Sequence, residues 1–290
     1  MKIRIVFLIA LIVLFFSNPL YCGQDRLKGT IAYSRLTDGY WQIWVKDLTV
    51  NSERQLTFSK IDKKNPVWPE NGKWLIYRTN NGEFFLIDKQ GLNEKKILAK
   101  LGYLADPNWL SDKQLLFVRF RSDLKDDSDI WTANLEDEGK VKVLNDEIGL
   151  QYNPDISKDG KKIVYVSGHK PEEHEIWVMD FEGKNRQKLT ENTYYDICPR
   201  WSPDGKVIVF ASNRTGNYEI WMMNSDGSQQ KRLTNMGGFN TTPVWSADGE
   251  KIAFGSNKNG SLGIWIMDKN GKNLTQLTKG GQCCDPAWHF

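Results

Sequence analysis

Few residues in this chain have the types and spacing that catalysis or ion binding requires. Histidine occurs only at His169, His174 and His289. His169 and His174 share one loop with Glu172, Glu173 and Glu175, a set of nitrogen and oxygen donors that could surround a divalent metal. A satisfied or solvated histidine pair is the simpler reading, and no metal or other cofactor is expected. The run Asp123-Leu124-Lys125-Asp126-Asp127-Ser128-Asp129 has the acid density of a calcium loop. It lacks the required glycine and closing glutamate, because Ser128 holds the sixth position and Asn134 the twelfth. It reads as a solvated acidic loop. The Gly-x-Ser-x-Gly elbow of a serine hydrolase is absent. Cys198, Cys283 and Cys284 form no Cys-x-x-Cys pair. The neighbours Cys283 and Cys284 could close a vicinal disulfide; the plainer alternative is three ordinary loop residues. No catalytic residue is assigned.

Side chains suited to binding are better represented. Tyr194, Tyr195 and Asp196 stand just before Cys198, and Arg200 just after it. Tyr103, Tyr152 and Phe239 occupy related places elsewhere. Aromatic rings with one arginine are the usual composition of a protein-binding hot spot. The alternative, that these rings only cap the fold, stays open. Lys60, Lys63 and Lys64 make a basic stretch that reads as a solvated surface.

An internal repeat must position these residues. Cys198-Pro199-Arg200-Trp201-Ser202-Pro203-Asp204-Gly205-Lys206 returns as Thr242-Pro243-Val244-Trp245-Ser246-Ala247-Asp248-Gly249-Glu250, 44 residues later. Weaker copies begin at Asn65-Pro66, Asp106-Pro107, Asn153-Pro154 and Asp285-Pro286. Arg200 therefore sits where other units carry Val67, Val244 or Ala287. Glu175-Ile176-Trp177 recurs in phase as Glu219-Ile220-Trp221 and Gly263-Ile264-Trp265, with earlier copies centred on Trp44, Phe85 and Trp131. Leu-Thr recurs at Leu56-Thr57, Leu189-Thr190, Leu233-Thr234 and Leu277-Thr278.

Each unit reads as four short strands. Asp-Gly turns tolerate the positive φ of a tight hairpin, β-branched and aromatic runs such as Val207-Ile208-Val209-Phe210 follow, and the helical period is absent. Four strands in about 44 residues is the size of a propeller blade. The expected fold is all-β, a six-bladed β-propeller with four-stranded blades. Gly29 to Tyr33 enters as a second strand, and Asp285 to Trp288 is an orphan first strand, so the C-terminal strand should complete blade one. Trp68, Trp109, Trp201, Trp245 and Trp288 share one phase, which assigns them to packing between blades rather than to a sugar-binding surface. The tight turns fall on one face. The longer, variable loops carrying the tyrosines fall on the other, which is the expected binding face.

Lys2 and Arg4 precede an unbroken apolar run from Ile5 to Phe16, and Asn18 and Pro19 break it. This is the layout of a secretory signal over residues 1–22, followed by the propeller over 23–290. The run is short for a membrane-spanning helix, although an uncleaved anchor is the alternative. Cys22 follows directly, where a lipid-modified cysteine would stand, but Leu20 and Tyr21 suit that signal poorly. The net charge of +3 includes Lys2 and Arg4 and falls to +1 without them. A near-neutral exported domain has no electrostatic footprint for nucleic acid.

Pro199-Arg200-Trp201-Ser202-Pro203-Asp204-Gly205-Lys206, Glu219-Ile220-Trp221 and Leu233-Thr234 closely resemble the repeat of TolB-type propellers. The resemblance covers residues 29–290 and is strongest in the last three units. It implies a periplasmic six-bladed propeller of the Tol–Pal system that binds the lipoprotein Pal. Only Gly23 to Lys28 separate the signal from the first strand, so the N-terminal α/β domain of that family has no counterpart. A TolB-like propeller without that domain is the expectation. Its function would be non-catalytic recognition of an envelope protein or peptide across the loop-rich face. The alternative is a saccharide-binding or metal-dependent, lyase-like propeller; lyases with a similar repeat hold their metal largely by histidines, which are few here.

Overall fold

The computed structural model describes residues 27–121, 127–137, 140–168 and 173–289. The expected signal segment with Cys22, the acidic residues Asp123 to Asp126, and His169 with Glu172 lie outside the described residues.

All regular elements described are strands, and they run as antiparallel meanders. The first comprises β1 (Thr30–Thr37), β2 (Tyr40–Asp47) and β3 (Ser52–Gln55). The second comprises β4 (Lys63–Val67), β5 (Trp74–Thr79), β6 (Phe84–Asp88) and β7 (Glu94–Ile97). Next come β8 (Leu104–Ser111), β9 (Gln114–Phe120), β10 (Ser128–Asn134) and β11 (Val141–Val143), then β12 (Leu150–Ile156), β13 (Lys162–Gly168), β14 (Glu175–Asp180) and β15 (Gln187–Lys188). β16 (Asp196–Trp201), β17 (Val207–Ser212), β18 (Glu219–Asn224) and β19 (Lys231–Arg232) follow. The last are β20 (Asn240–Trp245), β21 (Lys251–Ser256), β22 (Gly263–Asp268), β23 (Thr275–Gln276) and β24 (Cys283–His289). β24 pairs with β1, giving the order β24-β1-β2-β3. The inner strands touch in a closed circuit: β4 with β8, β8 with β12, β12 with β16, β16 with β20, β20 with β24, and β24 with β4. The fold is an all-β propeller.

The repeat spacing predicts six separate four-stranded sheets. The structure has four such sheets and one sheet of eight strands, β8 to β15. The cause is one parallel pairing, Ser128 with Leu150, which ties β10 to the start of β12. The same contact recurs as isolated bridges, His174 with Tyr195 and Tyr218 with Phe239, where the sheets remain distinct.

Stacking explains the sequence of the second strands. Ile208, Val209, Phe210 and Ala211 are all fully buried, because both faces of β17 are covered by neighbouring sheets. Trp201 then fills the wedge between sheets, meeting Val164, Ile176, Val178 and Leu189 on one side and Ile208, Phe210 and Met223 on the other. Removing such a ring from water is worth roughly 2–3 kcal/mol. Trp109 and Trp245 are likewise buried, whereas Trp68 and Trp288 are half-buried. The Leu-Thr signature has its own role. Thr57, Thr190, Thr234 and Thr278 accept the amides of Ile43, Ile176, Ile220 and Ile264 at 2.9–3.0 Å, which fastens the outer strand to the third.

Candidate partner-binding face

The inner strands share an unusual backbone. Asn65, Asp106, Asn153, Cys198, Thr242 and Asp285 each precede a proline and each adopt a left-handed φ between 45° and 54°. Proline normally pushes its predecessor into extended conformations, so the residue is held there by its surroundings. A register shift accompanies each one, as between Tyr152 and Asp155 or between Ile197 and Arg200. This bulge re-aims side chains toward the interior of the ring of strands. Neighbouring strands then bond there: Asn153 donates its backbone N–H and its Nδ2 to Asp106 Oδ2, both at 2.9 Å, and Cys198 N–H donates to Asn153 Oδ1 at 3.1 Å.

Above this ring, at the starts of the first and third strands, an aromatic cluster forms. His174 stacks on Tyr195 with centroids 4.4 Å apart and planes 17° apart. Its Nδ1 meets Tyr152 Oη at 2.8 Å. Tyr218 packs on Phe239 at 4.8 Å. Burial raises the phenols of Tyr152 and Tyr218, and the Cys198 thiol and Tyr195 beneath and beside them push in the same direction. Burial also pushes the Cys198 thiol up to about 11, so it is a neutral wall group. Tyr194 and Phe239 are 44% and 46% exposed, leaving ring area free above the buried members.

Of the residues singled out in the sequence, Tyr152, Tyr195 and Phe239 enter this cluster. Tyr194 lies beside it on the surface. Tyr103 is exposed but stands elsewhere on the rim, edge-on to Phe120 at 5.4 Å. Asp196 is not a surface contact. It is fully buried, pairs with Arg214 at 2.6 Å and accepts from Asn192 Nδ2 at 2.9 Å. Arg200 lies deeper, on β16, donating to the Pro199 carbonyl at 2.8 Å, and its charge stabilises the Asp155 carboxylate against the upward push of burial. The lysine stretch is also not a uniform solvated surface. Lys63 is buried and donates to the Ile61 carbonyl at 3.1 Å, Lys64 lies over the Trp41 ring, and Lys60 is exposed.

His174 and Tyr218 were missed as members of the aromatic group. Both immediately precede the Glu-Ile-Trp signature, in the same phase, and that phase was the available signal. His174 uses its Nδ1 in the cluster, and no group of three or more His, Cys, Asp or Glu side chains that could hold a metal occurs among the described residues. His289 stands apart, edge-on to Trp68 at 5.7 Å. Cys198, Cys283 and Cys284 are unpaired thiols.

The chain matches the TolB beta propeller domain family over residues 82–289. It is 29% identical over 129 residues to the Tol-Pal system protein TolB of Anaeromyxobacter dehalogenans, covering 43% of this chain and 28% of that protein. The matched segments span only 17% to 28% of the curated relatives' lengths. Among solved structures, TolB from Acinetobacter baumannii superposes with a TM-score of 0.76 at 20% identity, covering 90% of this chain and 66% of that one. An oligogalacturonate lyase in complex with manganese superposes with a TM-score of 0.59 at 14% identity, covering 86% and 73%. At these identities the structural likeness concerns the fold alone.

Proposed function

The chain belongs to the TolB β-propeller domain family, and from that premise we propose that it is a non-catalytic binding module of the cell envelope that recognises a protein or peptide across its aromatic face. One observation carries the reading: Tyr152, His174, Tyr195, Tyr218 and Phe239, drawn from three successive sheets, converge on one end of the propeller beside exposed Tyr194. Rigid, partly buried rings present contact area at small entropic cost. Affinity then comes from burying ring surface with little backbone change.

The same proposal takes residues 1–22 as a secretory signal, residues 23–290 as the propeller, and the periplasm as its place. Lipid anchorage at Cys22 is the lesser alternative. The described residues contain no helix long and apolar enough to cross a membrane. A Pal-like lipoprotein is the first partner to test, because one relative is a Tol-Pal system protein. The eight-stranded sheet counts as two blades bridged at Ser128–Leu150, and the circuit of inner strands supports six blades in all.

The test is capture of envelope proteins on the immobilised mature chain. A Tyr194→Ala, Phe239→Ala variant removes exposed rings and leaves the core intact. It should lose the specifically retained partner by tenfold or more while its melting temperature stays within about 2 °C of wild type. Equal retention by both proteins would refute this face as the binding site.

A saccharide-binding or lyase-like reading draws on the fold likeness to the manganese-bound oligogalacturonate lyase. It requires stabilisation by ligand. The binding-module proposal expects no thermal shift with manganese, calcium or oligogalacturonates, and a dose-dependent rise would favour the saccharide reading.

A further inference from the structure

On the same end of the propeller, away from the aromatic cluster, two cations face each other. Lys64 on β4 and Arg78 on β5 are directly opposite in an antiparallel pair. Like charges in that position repel. The equivalent pairs in the other sheets are uncharged: Ala105–Val118, Tyr152–Val166, Ile197–Ala211, Thr241–Gly255 and Cys284–Ser34. Packing therefore does not require charge at this place in the repeat.

Neither cation has an acidic partner among the described residues, where ion pairs form on neighbouring Arg35, Lys96 and Arg121. Lys64 Nζ rests 4.2 Å from the centre of the Trp41 ring. Arg78 Nη1 donates to Tyr103 Oη at 3.3 Å, and its buried Nε has no acceptor. Beyond Tyr103 opens a cavity of about 650 Å³ whose wall includes Arg119, Phe120 and Trp131, with Arg121 and its partners Asp129 and Asp146 on the same wall. Arg119 lies 5.0 Å over Trp131 and forms no ion pair among the described residues, although Asp129 stands directly opposite it on β10. The contrast with Arg121 is direct. Two positions away, it is held by Asp127, Asp129 and Asp146. Lys64 and Arg78 thus keep donors and have no carboxylate opposite them, and Arg119, opposite Asp129, extends the track, with aromatic rings between the three.

We propose that Lys64, Arg78 and Arg119, with Tyr103 between them, bind carboxylates of an acidic peptide segment, so that the partner carries Asp or Glu beside its apolar anchor. Guanidinium and carboxylate form strong charge-assisted hydrogen bonds, and an incoming carboxylate relieves the Lys64–Arg78 repulsion. Complementary charge of this kind sets register and speeds encounter. The inference rests on the partner-binding reading and adds the partner's chemistry to it.

The test is fluorescence anisotropy on the mature chain with labelled hexaglutamate, and with hexaglutamine as the neutral control. Wild type should bind hexaglutamate at least about tenfold more tightly than hexaglutamine, a difference of about 1.4 kcal/mol, with the preference shrinking as salt rises. Lys64→Gln, Arg78→Gln and Arg119→Gln should each weaken hexaglutamate binding several-fold, with melting temperatures unchanged or, for the first two, raised. The Tyr194→Ala, Phe239→Ala variant should keep hexaglutamate binding, so failure of the aromatic face and failure of the cationic track are read separately. Equal binding of both peptides, or glutamine variants that bind like wild type, would overturn the proposal. So would binding of inorganic phosphate or trigalacturonate in the absence of hexaglutamate binding.

Discussion

Thr234 shows how a two-residue signature works. Its Oγ1 accepts the Ile220 amide at 2.9 Å and donates to the Glu219 carboxylate, which also accepts the amides of Met236 and Gly237 at 2.9 Å. Thr190 repeats this with Ile176 and Glu175, and burial raises the Glu175 carboxyl despite the hydrogen bonds it receives. Replacing Thr234 by Val keeps the shape but leaves a buried amide and an acid short of a partner. The expected loss is about 1–3 kcal/mol in urea unfolding; a change under a few tenths would mean the hydroxyl has no structural role. The signature was legible as the end of a strand. Its chemistry was not, because the acid lies 15 residues away in sequence from the threonine. In the third unit Asn145 Oδ1 takes the same place, accepting the Ile130 amide at 2.8 Å, so that copy escaped the Leu-Thr pattern. Asp196 was misplaced for a related reason: nothing local reveals that Arg214, from the following loop, buries it in an ion pair.

At the scale of strands and turns, the turn Asn224-Ser225-Asp226-Gly227 is one of the tight turns of the repeat. The structure adds a contact between sheets. A Cβ on Gly227 would stand 2.6 Å from the carbonyl oxygen of Leu189 in the preceding sheet, and its φ is +86°. Gly216 has a similar φ of +93° with open space around it. Gly216→Ala should cost about 1 kcal/mol from the backbone alone. Gly227→Ala should cost clearly more, and equal losses in chemical denaturation would remove the inter-sheet contact from the account. The hairpins, the four-strand meanders and the pairing of the last strand with β1 were legible, because turn residues and strand periodicity are local signals. The left-handed residues before proline were not, since the local preference runs against them and only the circuit of inner strands imposes them. The single bridge that merges two meanders into one sheet was equally invisible.

For the whole molecule, β24 joins the end of the described chain to its beginning, and His289 is near that seam. Burial lowers its pKa below the ordinary 6.5. The unfolded chain therefore binds the proton more readily, so stability should decline as pH falls below about 6.5. His289→Phe keeps a ring against Trp68 and should flatten that decline, as measured by melting temperature between pH 7 and 5; an unchanged slope would place the acid sensitivity elsewhere. The larger claim is that the propeller presents one aromatic end to a protein partner. Site-specific photocrosslinking in the native envelope tests it most directly, with the crosslinker at position 194 and, as control, at exposed Asn270 on the tight-turn end. The account predicts one dominant protein adduct from position 194, absent from position 270 and lost when Phe239 is replaced by Ala. No protein adduct from position 194, with the folded mature chain present, would contradict it.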